Sequence, residues 1–288
     1  MSDAAELRTG KGHKDENFPV ASFILKPKHR APVMTFYRFA RVADDVADHA
    51  TISSDEKIAL LDAMRATLAG EDDVNPEALA LRRTLAERGL SPIHGLDLLK
   101  AFTRDATQTR YADWDDLMDY CRYSASPVGR FVLDVHGESQ ALWPANDALC
   151  SALQVINHLQ DCAKDYANID RVYLPEDQLA RAGTSVQALA AAKASPELKG
   201  VISDLARQTA GLLDRSRPFA AGIKDGRLAY EVALIQRLAE SLTAWLEVRD
   251  PLSDRVHHRP WNVAGIAVVA LMDRLTGRGR AALAEAAA

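Results

Sequence analysis

The chain has 288 residues, 48% of them hydrophobic, and a formal net charge of −5. That is enough apolar material for a sizeable buried core, and the negative balance gives nucleic acid no reason to bind. Few Gly and Pro residues, short β-branched runs and abundant Ala and Leu exclude a strand-rich protein and predict an all-α fold. Cys121, Cys150 and Cys162 are sparse and lack metal-ligand spacing, so reduced thiols in a cytoplasmic protein are expected.

Residues 1–16 are polar, lack the apolar stretch of a signal peptide and are read as a mobile N-terminus. Residues 17–32 are apolar but interrupted by Pro19, Pro27 and Pro32, which predicts an extended or loosely helical entry. The first firm helix is expected over 32–48, with Pro32 near its start. Ser53 or Ser54 caps a helix reaching about residue 69, and further helices are expected at 76–89 and 92–108. A longer one opens at Asp113 and carries SASPVG, where Pro127 and Gly129 kink or thin it. A helix over 146–167 and a loop over 171–175 follow. A short piece over 175–182 then precedes helices at 185–194, 197–222, 226–249 and 260–276. The alanine-rich end, 278–288, is expected to fray. The apolar run at 261–272 is too short to span a bilayer. No repeat or low-complexity linker divides the chain, which is read as one catalytic domain over 17–277.

Two of these helices carry polar stripes. Gln154, Asn157, Asp161 and Asp165 fall within an arc of about 80°, and Tyr37, Arg41, Asp44 and Asp48 within about 60°. The neighbours of both stripes are apolar: Phe36, Phe39, Ala40, Val42 and Val46 around one, Leu153, Val155, Ile156 and Leu159 around the other. Both helices are therefore expected to be buried, and buried carboxylates demand cations. Mg²⁺ fits, because it takes one or two carboxylates together with phosphate oxygens. Arg41 and Arg171, each close to an aspartate pair, are placed to clamp phosphate. Two such helices facing each other across an apolar cavity suit ionisation of a hydrocarbon diphosphate, the metals stabilising the leaving group and the cavity shielding the cation.

On YRFARVADDVAD, YCRYSASPVG and QVINHLQDCAKD followed by DRVYLP, the sequence resembles the squalene/phytoene synthase family over about residues 17–249. That resemblance implies a helical isoprenoid-synthase bundle with a central cavity. By matching position, Asp44, Asp48, Asp161 and Asp165 would bind Mg²⁺-diphosphate, Arg41 and Arg171 would contact phosphate, and Gln154 and Asn157 would line the same site. Tyr123 matches the tyrosine that handles a proton near the cation. Phe18, Tyr37 and Val128 would line the prenyl pocket, and Tyr173 of DRVYLP joins the substrate-binding set. The family generally carries Arg immediately before the first aspartate of the second motif, where this chain has Gln160. Its small-residue kink reads SASP here, setting Ser124 and Ser126 beside the cavity. Both departures resemble the bacterial hopanoid-pathway branch, which implies conversion of presqualene diphosphate to hydroxysqualene by ionisation, rearrangement and water capture. Ser124, Ser126, Gln160 or Tyr123 would help to hold that water. The alternative is head-to-head joining of two farnesyl diphosphates. A non-catalytic assembly protein on the same scaffold is disfavoured because all four aspartates remain. The partners implied are an isoprenoid diphosphate and pathway enzymes, with no nucleic acid; contact with a membrane surface is left open by the lipid product.

Several residues are set aside. Asp45 points about 100° from Asp44. His158 lies off its stripe, His257 and His258 are read as a solvated turn, and Cys162 as a small core residue. Trp245 and Trp261 are read as core or docking face, and Lys14 approaches diphosphate by position alone.

Overall fold

The computed structural model describes residues 25–259 together with 262, 263, 265–267, 269 and 270. The expectations for Lys14, Phe18, Trp261, the N-terminal segment and the C-terminal tail lie outside the described residues. Among the described residues the fold is all-α, as expected. The helices are α1 (Pro27–Ala47), α2 (Ser54–Ala69), α3 (Pro76–Arg88), α4 (Ile93–Asp105), α5 (Trp114–Ser124) and α6 (Ser126–His136). They continue as α7 (Trp143–Ile169), α8 (Glu176–Arg181), α9 (Pro196–Ser216), α10 (Phe219–Gly222) and α11 (Gly226–Leu246). They form two compact units, Met1–Gln108 with Arg122–Gly137, and Thr109–Cys121 with Glu138–Ala288.

In the first unit α1 packs on α2, α3, α4 and α6. Its core holds Phe36, Phe39, Val42, Val46, Leu61, Met64, Leu81, Leu98 and Phe131, all buried. Phe36 stacks on Phe131 with ring centroids 4.1 Å apart. At Gly95 the start of α4 comes so close that a Cβ would lie 2.7 Å from Leu68 Cδ2 and 3.3 Å from Phe39 Cε1. Ser53 caps α2 as expected, in a reciprocal capping box with Glu56.

α1 begins at Pro27, five residues before the predicted start, so Pro32 lies inside the helix. Pro27 supplies the fixed φ of a first helical turn. Pro32 has no N–H for the carbonyl of Lys28; the Arg88 guanidinium donates to that oxygen instead, at 2.6 Å.

In the second unit α7 packs along α9, and α11 packs on both. Leu149, Val155, Ile156, Leu159, Leu198, Ile202, Leu205, Leu212, Leu238 and Leu242 are buried there. Proline again accounts for departures from the sequence reading. The long helix expected from Asp113 breaks fully between α5 and α6, because Pro127 occupies the first turn of α6. The helix expected over 197–222 ends at Ser216, and Pro218 caps the short α10. Residues 185–194 hold only a 3₁₀ turn, Val186–Ala190. No described helix is long and apolar enough to cross a membrane.

Candidate active site

In the first unit the aspartates gather at helix ends. Asp48 caps the C-terminus of α1, its backbone N–H donating to Asp44 O at 2.9 Å. Arg41 reaches Asp44 Oδ2 at 2.8 Å and Asp45 Oδ1 at 2.5 Å. Asp45, off the stripe as expected, is buried and serves as the second anchor of that guanidinium. Burial, then repulsion from Asp48, pushes the Asp44 carboxyl up to about 8, against the pull of Arg41, with Asp105 and Asp45 adding to the rise. Its side chain keeps 36% of its surface exposed, so water screens part of these repulsions.

Asp105 is the residue that the stripe argument missed. It is the last residue of α4 and is buried. A carboxylate at a helix C-terminus meets the negative end of the helix dipole, so this cluster joins the ends of α1 and α4 with four acidic side chains. The sequence signal was an aspartate in a last turn, where a cation is usual. This donor set fits a hard divalent cation, which takes carboxylate oxygens and offsets both sources of negative charge.

Tyr37 and Tyr123 are half-buried, and Lys100 Nζ lies 5.4 Å from the Tyr123 ring centroid. Ser126 is buried, and Ser124 Oγ is buried with no hydrogen-bond partner. Val128 is 43% exposed.

In the second unit Asp161 and Asp165 occupy the last turns of α7, both half-buried. Lys164 pairs with Asp161 Oδ1 at 2.6 Å. The chain leaves α7 through Asp170 in the left-handed region, φ 49°, and the Arg110 guanidinium donates to Asp170 Oδ1 at 2.5 Å. The turn is closed by the N–H of Arg171 donating to Asp165 O at 3.2 Å. That turn buries Arg171 and Tyr173, with Arg171 Nη1 3.3 Å from Tyr173 Oη.

Beside them lies an aromatic cluster the sequence did not reveal. His158 stacks on Tyr173 with centroids 3.3 Å apart, and Tyr173 stacks on Tyr111 at 5.3 Å with Tyr120 tilted against it. Gln154 Nε2 lies 3.1 Å from His158 Nε2, so α7 turns Gln154 towards this histidine, while Asn157 on the same stripe is half-buried. Burial, then the charge of Arg171, pulls His158 down to about 3, leaving a neutral ring able to accept a hydrogen bond. Cys162 is a buried core thiol, as expected, pushed up to about 12 by burial.

The Gln160 side chain is buried, and its amide nitrogen donates to the carbonyl of Val256. The turn containing Val256 is not the solvated loop the sequence suggested. His257 and His258 are half-buried, and His258 Nε2 lies 3.1 Å from Leu238 O, with its ring 4.8 Å from that of Trp245. Tertiary packing of the turn onto α7 and α11 overrides its polar composition.

The all-helical architecture is that of the isoprenoid synthases. The squalene/phytoene synthase family matches residues 11–262, and the chain belongs to that family. It is 56% identical to the hydroxysqualene synthase of Zymomonas mobilis, over 95% of this chain and 93% of the relative. It is 55% identical to the hydroxysqualene synthase of Rhodopseudomonas palustris, over 90% of this chain and 89% of that relative. Among solved structures it is similar to squalene synthase HpnC from Alicyclobacillus acidocaldarius, at 32% identity and a TM-score of 0.70, covering 84% of this chain and 90% of that one.

Proposed function

We propose that this enzyme converts presqualene diphosphate to hydroxysqualene and diphosphate, with Mg²⁺ bound by Asp44, Asp48, Asp161 and Asp165. The observation that carries the reading is high identity, over nearly the whole chain, to two proteins named hydroxysqualene synthase. The raised Asp44 carboxyl supports the metal: a cluster that retains protons near neutrality gives them up when a cation arrives. When bound, Mg²⁺ supplies the positive charge that stabilises the departing diphosphate.

In this reading Arg41 and Arg171 donate to diphosphate oxygens, and Gln154 and Asn157 fix the orientation of the head group. The carbon–oxygen bond breaks heterolytically, the diphosphate leaves with the electron pair, and the cyclopropylcarbinyl cation rearranges. Water adds to the rearranged cation and loses one proton to give the alcohol. Tyr123 stands near the cation and handles that proton, while Tyr37, Val128 and Phe18 contact the prenyl chains. Among the groups considered for holding the water, Ser124 has a buried hydroxyl without a partner, which supports giving it that task.

The deciding experiment incubates the protein with Mg²⁺ and presqualene diphosphate, without a reductant, and separately with farnesyl diphosphate. Hydroxysqualene from presqualene diphosphate, lost with EDTA and regained with Mg²⁺, is the expected result. The second reading, condensation of two farnesyl diphosphates, is favoured by the similarity to squalene synthase HpnC from Alicyclobacillus acidocaldarius. Presqualene diphosphate or squalene formed from farnesyl diphosphate would establish it instead. Ser124→Ala should lower the share of alcohol among the products, and an unchanged share would remove Ser124 from the water's coordination.

A further inference from the structure

Gln160 directly precedes Asp161, the first aspartate of the second motif. Buried in α7, its amide donates to the carbonyl of Val256, 96 residues further along the chain. On the far side of Val256, His258 is held by Leu238 O and by the ring of Trp245. His257 is therefore fixed between two anchored neighbours.

From this geometry we infer that Gln160 is a positioning residue that pins this turn to α7, so that His257 donates an N–H to the diphosphate bound at Asp161. The inference rests on the proposed diphosphate site. Gln160 directly precedes Asp161 and Val256 directly precedes His257, so the bond between Gln160 and Val256 brings His257 to the Asp161 end of α7. Its Nδ1 is buried with no hydrogen-bond partner. A buried orphan donor costs more than a buried orphan acceptor, so the ring proton belongs on Nε2. Gln160 carries no charge itself and instead fixes a donor on another segment of the chain.

The test uses the full chain with Mg²⁺ and inorganic pyrophosphate, read by titration calorimetry and by the pyrophosphate-induced rise in melting temperature. His257→Phe keeps the ring's bulk and should weaken Mg²⁺-pyrophosphate binding about tenfold, the scale of one hydrogen bond to a charged group. His257→Gln, which restores an N–H, should recover part of that loss. Gln160→Met should weaken binding to a similar degree, and the double variant should be no weaker than either single one, because both changes remove the same contact. A His257→Phe chain that binds pyrophosphate like the wild type, while Asp161→Asn does not bind, overturns this inference and leaves the diphosphate site standing. Losses that multiply in the double variant also overturn it. A wild-type chain that fails to bind Mg²⁺-pyrophosphate overturns both this inference and the proposed function. If Gln160→Met does not fold, the comparison of His257→Phe with His257→Gln still decides.

Discussion

At the end of α1, Arg41 pairs with Asp44 and Asp45, while Asp48 and Asp105 repel Asp44, which holds its proton to about pH 8. Near the end of α7, Asp161 has Lys164 at 2.6 Å, and about one turn earlier on the same helix a neutral, buried His158 stacks on Tyr173. Both are aspartate pairs at i, i+4 on helices of similar apolar character, yet their electrostatic conditions differ. The first is a cluster at two helix C-termini, where each dipole adds to the negative charge. The second, like the first, has a cation on its own helix, Lys164 in the place of Arg41. The motif spacing is thus one property and the charge balance another, because the second depends on which other helix ends arrive.

The largest expected effect tests whether both pairs serve the reaction. Asp44→Asn and Asp161→Asn should each lower turnover of presqualene diphosphate by about 10²–10³-fold, the cost of losing one charge-stabilising group. In the absence of metal the two variants should part company. Asp44→Asn should raise the melting temperature at pH 8, since it relieves repulsion, whereas Asp161→Asn strands Lys164 and gives no such gain. Equal behaviour of the metal-free variants would erase the contrast drawn here.

Next comes packing. Phe39 is fully buried in the core that carries α1, and Phe39→Ala should cost about 3–5 kcal/mol in denaturant unfolding. Retained stability would mean that the first unit does not hold its aspartates by this core.

Acid and base should then act on the two units in opposite directions. Asp44 titrates ordinarily near 3.8 and near 8 when folded, so the folded chain holds the extra proton in between. Its contribution is complete below pH 3.8 and is lost as the pH rises towards 8. His158 moves the other way, from an ordinary 6.5 to about 3, so its contribution is complete above pH 6.5 and is lost as the pH falls towards 3. Melting temperature against pH should therefore flatten on the alkaline side in Asp44→Asn and on the acid side in His158→Phe. A single variant that flattened both sides would refute the assignment.

The smallest effect concerns Lys164. It is 68% exposed, so Lys164→Met should alter stability by less than about 1 kcal/mol. Its consequence belongs to ligand binding: removing the cation from Asp161 should change Mg²⁺ affinity measurably while the melting temperature of the metal-free chain stays put.

Much of this was legible in the residues. The period of the apolar positions gave the helices, and Ser53 with Glu56 marked the start of α2, because both signals are local. The stripes on α1 and α7 and the family likeness were equally local, since four residues on one face are fixed by helix geometry alone. What failed was proline: Pro32 sits inside α1 because Arg88, from α3, takes the carbonyl it leaves unbonded, and no reading of residues 27–47 contains Arg88.

The sequence by itself determined the all-helical class and the two aspartate pairs, because those depend on spacing along one chain, and its motifs carried the resemblance to the squalene/phytoene synthase family. Tertiary structure alone decided the rest. Asp105 joins Asp44 through the packing of α4 on α1. His158 becomes a neutral stacking partner through Tyr173, and Gln160 finds the carbonyl of Val256 at a separation of 96 residues. Burial and charge are sums over neighbours in space, and those neighbours are set only when the helices have packed.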